Sequence, residues 1–150
     1  GRLPESLWDL YCGVGGFALA AARAGFPRVT GVEVSSGAIS SAISAARHAG
    51  LSRSAASFIA DDATSWAQAQ SPEDVPDVIV VNPPRRGIGA DLAAFLNECD
   101  APRVIYSSCN PASLATDLAA MPTLRPVEGR LFDMFPHTTH AEVALLLERA

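Results

Sequence analysis

The chain has 150 residues, 49% of them hydrophobic, with a formal net charge of −5 and a mean hydropathy of +0.19. That is one domain's length, able to bury about 70% of its unfolded surface, too apolar for disorder and without the run of roughly 18–20 apolar residues that spans a membrane. All 11 basic residues are arginines, which removes Schiff-base catalysis, pyridoxal phosphate attachment and the lysine-dependent phosphate loop, and the acidic balance argues against strong nucleic-acid binding by these residues alone.

Strands and helices alternate along the chain. Residues 7–11 read as a short apolar strand that ends at a glycine-rich turn, residues 12–16, and Phe17 to Ala24 form an Ala-rich helix stopped by Gly25. Val29 to Glu33 is a second strand. Ser35 or Ser36 caps a helix with Ile39, Ile43 and Ala46 on one face, ended by Gly50. Ala56 to Ala60 is a third strand, followed by Asp62 capping a short helix to Gln70 and a loop over residues 71–76. Residues 77–82, closed by Pro83 and Pro84, are the clearest buried strand; a helix then runs from Ala90 to Cys99. Strand five covers residues 103–107 and a helix residues 111–120. Val127 to Phe132 and Ala141 to Leu147 are two further strands, joined by residues 133–140. Such alternation implies an α/β fold, a parallel sheet covered by helices on both faces, with ligands outside the carboxyl ends of the strands. Residues 12–16, Glu33, Asp62, Asn82 and Cys109 all fall at those ends.

Gly13-Val-Gly15-Gly16-Phe-Ala18 fits G-x-G-x-x-A, a pattern that lets backbone turn tightly and approach a ligand. Glu33, 20 residues on, sits where a carboxylate accepts ribose hydroxyls, so a nucleoside-containing cofactor is expected; the pattern does not separate NAD from S-adenosylmethionine. Tyr11 either lines that site or packs. Asp62 caps its helix, binds an adenine amino group, or does both. Asn82-Pro83-Pro84-Arg85-Arg86 gives a stiff exit from the sheet, because a residue before proline is held extended. The [DN]-P-P strand end is a feature of methyltransferases acting on nucleobases. Arg85 and Arg86 then stand where they meet phosphate or a base carbonyl, or are solvated loop charges. Cys109 lies between a strand and a helix capped by Asn110 with Pro111 at its first position; the helix dipole there favours thiolate. A nucleophile and an inert strand-end cysteine both fit that segment. His137 and His140 lack a third ligand at helical spacing, so no metal is expected. Glu142 opens an apolar strand, as a partnered structural residue or a partly desolvated base.

Three cysteines, Cys12, Cys99 and Cys109, form neither a disulfide framework nor a metal-ligand spacing, and no secretory signal is visible; a reducing, cytoplasmic setting is expected. The chain opens Gly-Arg-Leu-Pro without an initiator Met and reads as a catalytic domain, residues 1–150, from the C-terminal part of a longer protein.

Taken in order, Asp9-Leu-Tyr-Cys-Gly-Val-Gly-Gly-Phe17, Gly31-Val-Glu33, Val81-Asn-Pro-Pro-Arg-Arg-Gly87, Tyr106-Ser-Ser-Cys-Asn110 and residues 131–143 resemble the catalytic domain of the RNA (uracil-5-)-methyltransferases, most closely the subgroup acting on 23S ribosomal RNA. The resemblance implies a class I S-adenosylmethionine-dependent methyltransferase fold, Rossmann-like, with seven strands of which the last is antiparallel. It implies that Cys109 is the nucleophile and Glu142 the base that removes the C5 proton, and that Tyr11, Gly13, Gly15, Glu33, Asp62 and Asn82 hold the cofactor. Asn82, Arg85 and Arg86 are then expected to meet the uracil or its RNA. Two departures accompany it. The family's N-terminal portion, with iron–sulfur cysteines in many members and often an RNA-binding domain, is not in these residues. A cofactor-holding glutamine upstream of the first strand has no equivalent before Leu7. Beside this stand a non-catalytic cofactor-binding module for RNA docking or assembly and a methyltransferase of base amino groups. The latter expects an aromatic residue where Arg85 stands and has no task for Cys109. An NAD oxidoreductase would account for the glycines and Glu33 but not for the Asn-Pro-Pro exit.

Overall fold

The computed structural model describes residues 2–132 and 142–150. Seven strands form one sheet in the order β3-β2-β1-β4-β5-β7-β6. They are β1 (Ser6–Leu10), β2 (Arg28–Glu33), β3 (Ala56–Ala60), β4 (Val78–Val81), β5 (Arg103–Ser108), β6 (Leu124–Phe132) and β7 (Glu142–Arg149). The helices are α1 (Gly16–Arg23), α2 (Ser36–His48), α3 (Ala63–Gln68), α4 (Gly89–Glu98) and α5 (Pro111–Ala119). Neighbours from β3 to β5 pair in parallel, and β7 runs antiparallel to both β5 and β6. The expected seven-stranded, mostly parallel sheet with an antiparallel last strand is therefore the observed one.

Strand periodicity divides the core between the two faces. Trp8, Leu10, Ile79, Val81, Val104 and Tyr106 pack with Leu92 and Leu96 of α4 on one face. Leu7, Val29, Val78 and Val80 pack with Ala18 of α1 on the other. All four residues of β4 are buried, as expected of a parallel strand covered on both sides. Trp8 meets Trp66 edge-on, with ring centroids 4.7 Å apart, which ties α3 to the same core.

Strand order reverses between β1 and β4. At such a point the chain leaves the sheet in opposite directions and a crevice opens at the carboxyl ends. Two backbone bonds hold the crevice floor: Asn82 N donates to Leu10 O at 3.5 Å and Cys12 N to Val32 O at 3.0 Å. Tyr11, read from the sequence as the last residue of strand one, has already left it, with φ of 62°. β6 starts at Leu124, three residues before the expected Val127, and is irregular between Pro126 and Glu128. No helix among the described residues is long and apolar enough to cross a membrane.

Candidate active site

The turn from β1 to α1 shapes one wall of the crevice. Gly13 and Gly15 have φ of 57° and 91°, conformations that a side chain disfavours. A Cβ on Gly15 would also lie 3.0 Å from both Ala42 and Phe58. The turn is fixed from the neighbouring strand: Gly13 N donates to Glu33 Oε1 at 3.2 Å and Ser35 N to Glu33 Oε2 at 2.8 Å. A carboxylate has about four acceptor positions, so Glu33 retains capacity toward the crevice. Below the turn, Ala18 N donates to buried Asp9 Oδ2 at 3.1 Å, while Asp9 Oδ1 has no partner among the described residues.

Beside this turn lies a cavity of about 410 Å³ lined by Tyr11, Val32, Glu33, Val34, Asp62, Ala63, Asn82, Pro84 and Arg86. Its size is in the range of small-molecule sites. Val34 is 76% exposed beside Glu33, so the cavity pairs apolar walls, Val34 and Pro84, with the acceptors Glu33 and Asp62. That is the chemistry a nucleoside needs: flat apolar flanks for a base, carboxylates for hydroxyl and amino groups. Asp62 also caps α3, accepting from Ser65 N at 2.9 Å and Ser65 Oγ at 3.0 Å, and these bonds hold its carboxyl below the usual range. A second cavity of about 300 Å³ near Gln70, Phe95 and Cys99 sits where the chain enters β4 and β5, away from these groups.

Cys109 follows β5 directly and is exposed. Asn110 behind it caps α5, its Oδ1 accepting from Ala112 N at 3.2 Å, with Pro111 at the first helical position as the sequence predicts. The other two cysteines differ. Cys12 is buried, and burial first, then Asp9 and Glu33, push its thiol up to about 12. Burial likewise raises the Cys99 thiol.

Glu142 opens β7, and its Oε1 accepts from Ser107 Oγ at 2.8 Å. In the amide orientation that satisfies its surroundings, Asn82 Nδ2 lies 3.2 Å from Glu142 Oε1 and 3.2 Å from Ser107 O. Asn82, Ser107 and Glu142 are thus one connected group, with Cys109 two residues beyond Ser107. Sequence reasoning singled out Asn82, Glu142 and Cys109 but missed Ser107. A serine at a strand end carries no signal until β5 and β7 are paired.

Arg86 lines the cavity; Arg85 contributes its carbonyl oxygen to α5, which receives Asn110 Nδ2 at 3.0 Å and Ser113 Oγ at 2.9 Å. Three residues on, Ile88 N donates to Asp117 Oδ2 at 2.9 Å, and the same oxygen takes the Tyr106 hydroxyl. This clamp also escaped sequence reasoning. His137 and His140 lie outside the described residues. Among the described residues no group of three or more His, Cys, Asp or Glu converges on a metal position.

The chain is similar to proteins described as RNA methyltransferases. A family model described as tRNA (uracil-5-)-methyltransferase matches residues 74–150, and one described as RNA cap guanine-N2 methyltransferase matches residues 5–92. The 23S rRNA (uracil(747)-C(5))-methyltransferase RlmC of Shewanella amazonensis is 50% identical over 144 residues, covering 96% of this chain and 37% of that protein. Its counterpart from Halothiobacillus neapolitanus is 50% identical over 147 residues, covering 97% and 38%. A shorter Haemophilus ducreyi relative is 47% identical, with 95% of this chain and 68% of its own length matched. This chain therefore spans little more than a third of the first two relatives. Among solved structures, the Pyrococcus abyssi tRNA (uracil-54, C5)-methyltransferase in complex with S-adenosyl-L-homocysteine superposes with a TM-score of 0.79 at 31% identity, covering 95% of this chain and 34% of that one. Magnesium protoporphyrin IX methyltransferase from Synechocystis, at 17% identity and a TM-score of 0.74, shares the fold alone.

Proposed function

The chain belongs to the RNA (uracil-5-)-methyltransferase family, and we propose that it is the catalytic domain of an S-adenosylmethionine-dependent enzyme that methylates C5 of a uridine in 23S ribosomal RNA. The observation that carries the reading is the Asn82–Ser107–Glu142 group two residues from exposed Cys109. Glu142 and the one exposed cysteine among the described residues lie at strand ends beside Asn82, which lines the cavity.

The cavity fits the cofactor. Glu33 would take the ribose hydroxyls, Asp62 the adenine amino group, and Val34 and Pro84 the faces of the purine. The Gly13–Gly15 turn and Tyr11 would lie along the rest of the molecule. When bound, S-adenosylmethionine supplies an electrophilic methyl group. The chain's own residues supply the rest. Carbon 5 of uracil is a poor nucleophile; bonding of the Cys109 sulfur to C6 moves the ring π electrons into an enolate, which makes C5 nucleophilic. Arg86, which lines the cavity, would balance charge developing on the uracil oxygen. After C5 carries the methyl group, Glu142 removes its remaining proton. That electron pair restores the C5–C6 double bond and expels the Cys109 thiolate. The uridine must leave its stack for both faces to be reached, which single-stranded or looped RNA makes cheaper.

Replacement of the nucleophile in the full-length protein tests this. Cys109→Ala is expected to abolish turnover, by at least about 10³-fold, and to abolish the covalent RNA adduct on denaturing gels. Affinity for S-adenosylhomocysteine should stay within about threefold of the parent. Turnover at the parental rate removes Cys109 from the chemistry.

A second reading, methylation of a base amino group, is favoured by the match over residues 5–92 and by Asn82-Pro83-Pro84. It gives neither Cys109 nor Glu142 a task, and nucleoside analysis of the product separates 5-methyluridine from an N-methylated purine.

A further inference from the structure

Charge is unevenly placed along this chain. From Phe17 to Ala60 it holds four arginines, Arg23, Arg28, Arg47 and Arg53, against one acid, Glu33, although the whole carries −5. The fold gathers the four at one corner. Arg28 opens β2 and Arg53 lies just before β3. The backbone joins these strand entries, Val29 N donating to Ala55 O at 2.9 Å. Arg23 and Arg47 stand in the last turns of α1 and α2, the helices that lead into those strands. All four are exposed. The ion pairs among the described residues use Arg2, Arg103 and Arg130 instead. Glu33 is at the opposite end of β2, bonded to the glycine turn. The acids of this pole, Glu73, Asp74, Asp77, Glu98 and Asp100, precede β4 and β5, on the far side of β1. Glu5, whose carbonyl takes Arg28 N at 3.1 Å, borders the corner.

A cation in the last turn of a helix answers its dipole, which accounts for Arg23 and Arg47. It does not account for Arg28 and Arg53 at strand entries. Nor does it explain why Arg47 and Arg53 share a cavity of about 280 Å³, which Ile43, Leu51 and Phe58 help to line. This cavity is far from the cofactor cavity. Ser35 caps α2 beside Glu33, and Arg47 is near the other end of that 13-residue helix. At the helical rise the separation is roughly 20 Å.

We propose that this corner is a second RNA-binding surface, on which Arg28, Arg47 and Arg53 hold phosphates of the same RNA whose uridine sits at the rim. The inference rests on the chain acting on RNA. A guanidinium suits phosphate because its parallel N–H groups meet two oxygens, and no carboxylate among the described residues has to be displaced first. The apolar wall between Arg47 and Arg53 suits an unstacked base lying between its phosphates. A short loop seated on the rim leaves the corner free; a longer RNA spans both.

The test uses the full-length protein and two protein-free RNAs: a short loop carrying the target uridine, and a folded 23S rRNA fragment that extends well beyond it. Arg47→Gln with Arg53→Gln removes two phosphate contacts. For the long fragment the slope of log K against log salt should become shallower by about 1.4–1.8, with affinity tenfold or more weaker at about 0.1 M salt. Arg47→Lys with Arg53→Lys keeps the charges and should keep most of the slope. Affinity for the short loop and for S-adenosylhomocysteine should change less than threefold in both, and kcat at saturating RNA should hold. A slope that matches the parent's in the Gln variant overturns the proposal. So does a loss seen only with the ribonucleoprotein particle and not with naked RNA, which would assign the corner to an acidic protein surface. Equal losses on the short loop and the long fragment also overturn it, since the corner would then not be separate from the rim. Failure of the reaction itself shows differently: a parent protein that leaves no 5-methyluridine in either RNA, while the slope still falls in the variant, removes the methylation and keeps the RNA surface.

Discussion

Asp9 is fully buried beneath the glycine turn. One oxygen takes the Ala18 amide and the other takes nothing from the described residues. Burial raises its carboxyl from the ordinary 3.8 to about 7, against the opposing bond from Ala18. An acid whose folded pKa is raised binds more protons folded than unfolded. Its contribution to stability is complete below about pH 4 and lost as pH rises through about 7, a change of up to about 4 kcal/mol. Asp9→Asn presents the same acceptor and donor as the protonated acid at every pH. Unfolding by urea at a series of pH values is therefore expected to show the variant close to the parent at pH 4 and more stable at pH 8, by about 1–3 kcal/mol. Parallel curves would remove Asp9 as the source of the slope. Glu33, Asn82 and Cys109 were legible in the sequence because each sits in a local pattern: a glycine turn, a strand stopped by prolines, a helix cap. Ser107 was not, because its partner Glu142 lies 35 residues away and meets it only once β7 is laid antiparallel on β5. The burial of Asp9 was equally invisible, since alternation in a five-residue strand does not say which face a helix will cover.

At the scale of elements, α5 governs the loop that leaves β4. Asn110 and Ser113 hold the Arg85 carbonyl, and Asp117 holds Ile88 N and the Tyr106 hydroxyl on one oxygen. The loop must come this close: a Cβ on Gly87, whose φ is 86°, would lie 2.5 Å from Asp117 Oδ2. The helix that begins beside Cys109 thus also sets the arginine loop. Asp117→Ala leaves a buried hydroxyl and a buried amide unpaired, at about 1–3 kcal/mol each. The expected outcome is a loss of about 2–5 kcal/mol in urea unfolding, with a raised KM for RNA. Asp117→Asn keeps an acceptor in place and should recover most of both. Equal losses in the two variants would mean that charge, not the bonds, matters at this position. The elements themselves were readable from their periodicity; two boundaries were not. The strand was expected only from Val127, but β6 is an edge strand, where the missing amide donor of Pro126 is tolerated, so it runs from Leu124. Tyr11 reads as a strand former, but it is the hinge of the turn and adopts a left-handed conformation that aromatic residues rarely take.

The molecule as a whole carries a net charge of −5, although its relatives are described as acting on ribosomal RNA and it spans 37% of the length of one of them. Affinity for RNA is largely phosphate neutralisation and counterion release, which lowers log K by about 0.7 per neutralised phosphate for each decade of salt on single strands. Arg85 and Arg86 are the arginines of the rim loop, so two contacts there allow a slope no steeper than about −1.4. The groups proposed to hold the cofactor, Glu33, Asp62, the glycine turn and the cavity walls, make no such demand and lie within these 150 residues. The two functions should therefore separate. By calorimetry the 150-residue chain is expected to bind S-adenosylhomocysteine with one-to-one stoichiometry. Titrated with a uridine-containing RNA loop over a range of salt, it should bind weakly and with a shallow slope, whereas the full-length protein should bind tightly and steeply. A slope for the chain as steep as that of the full-length protein would mean that its own surface gathers phosphates beyond the arginine loop, and that the acidic balance is no guide to where the RNA lies.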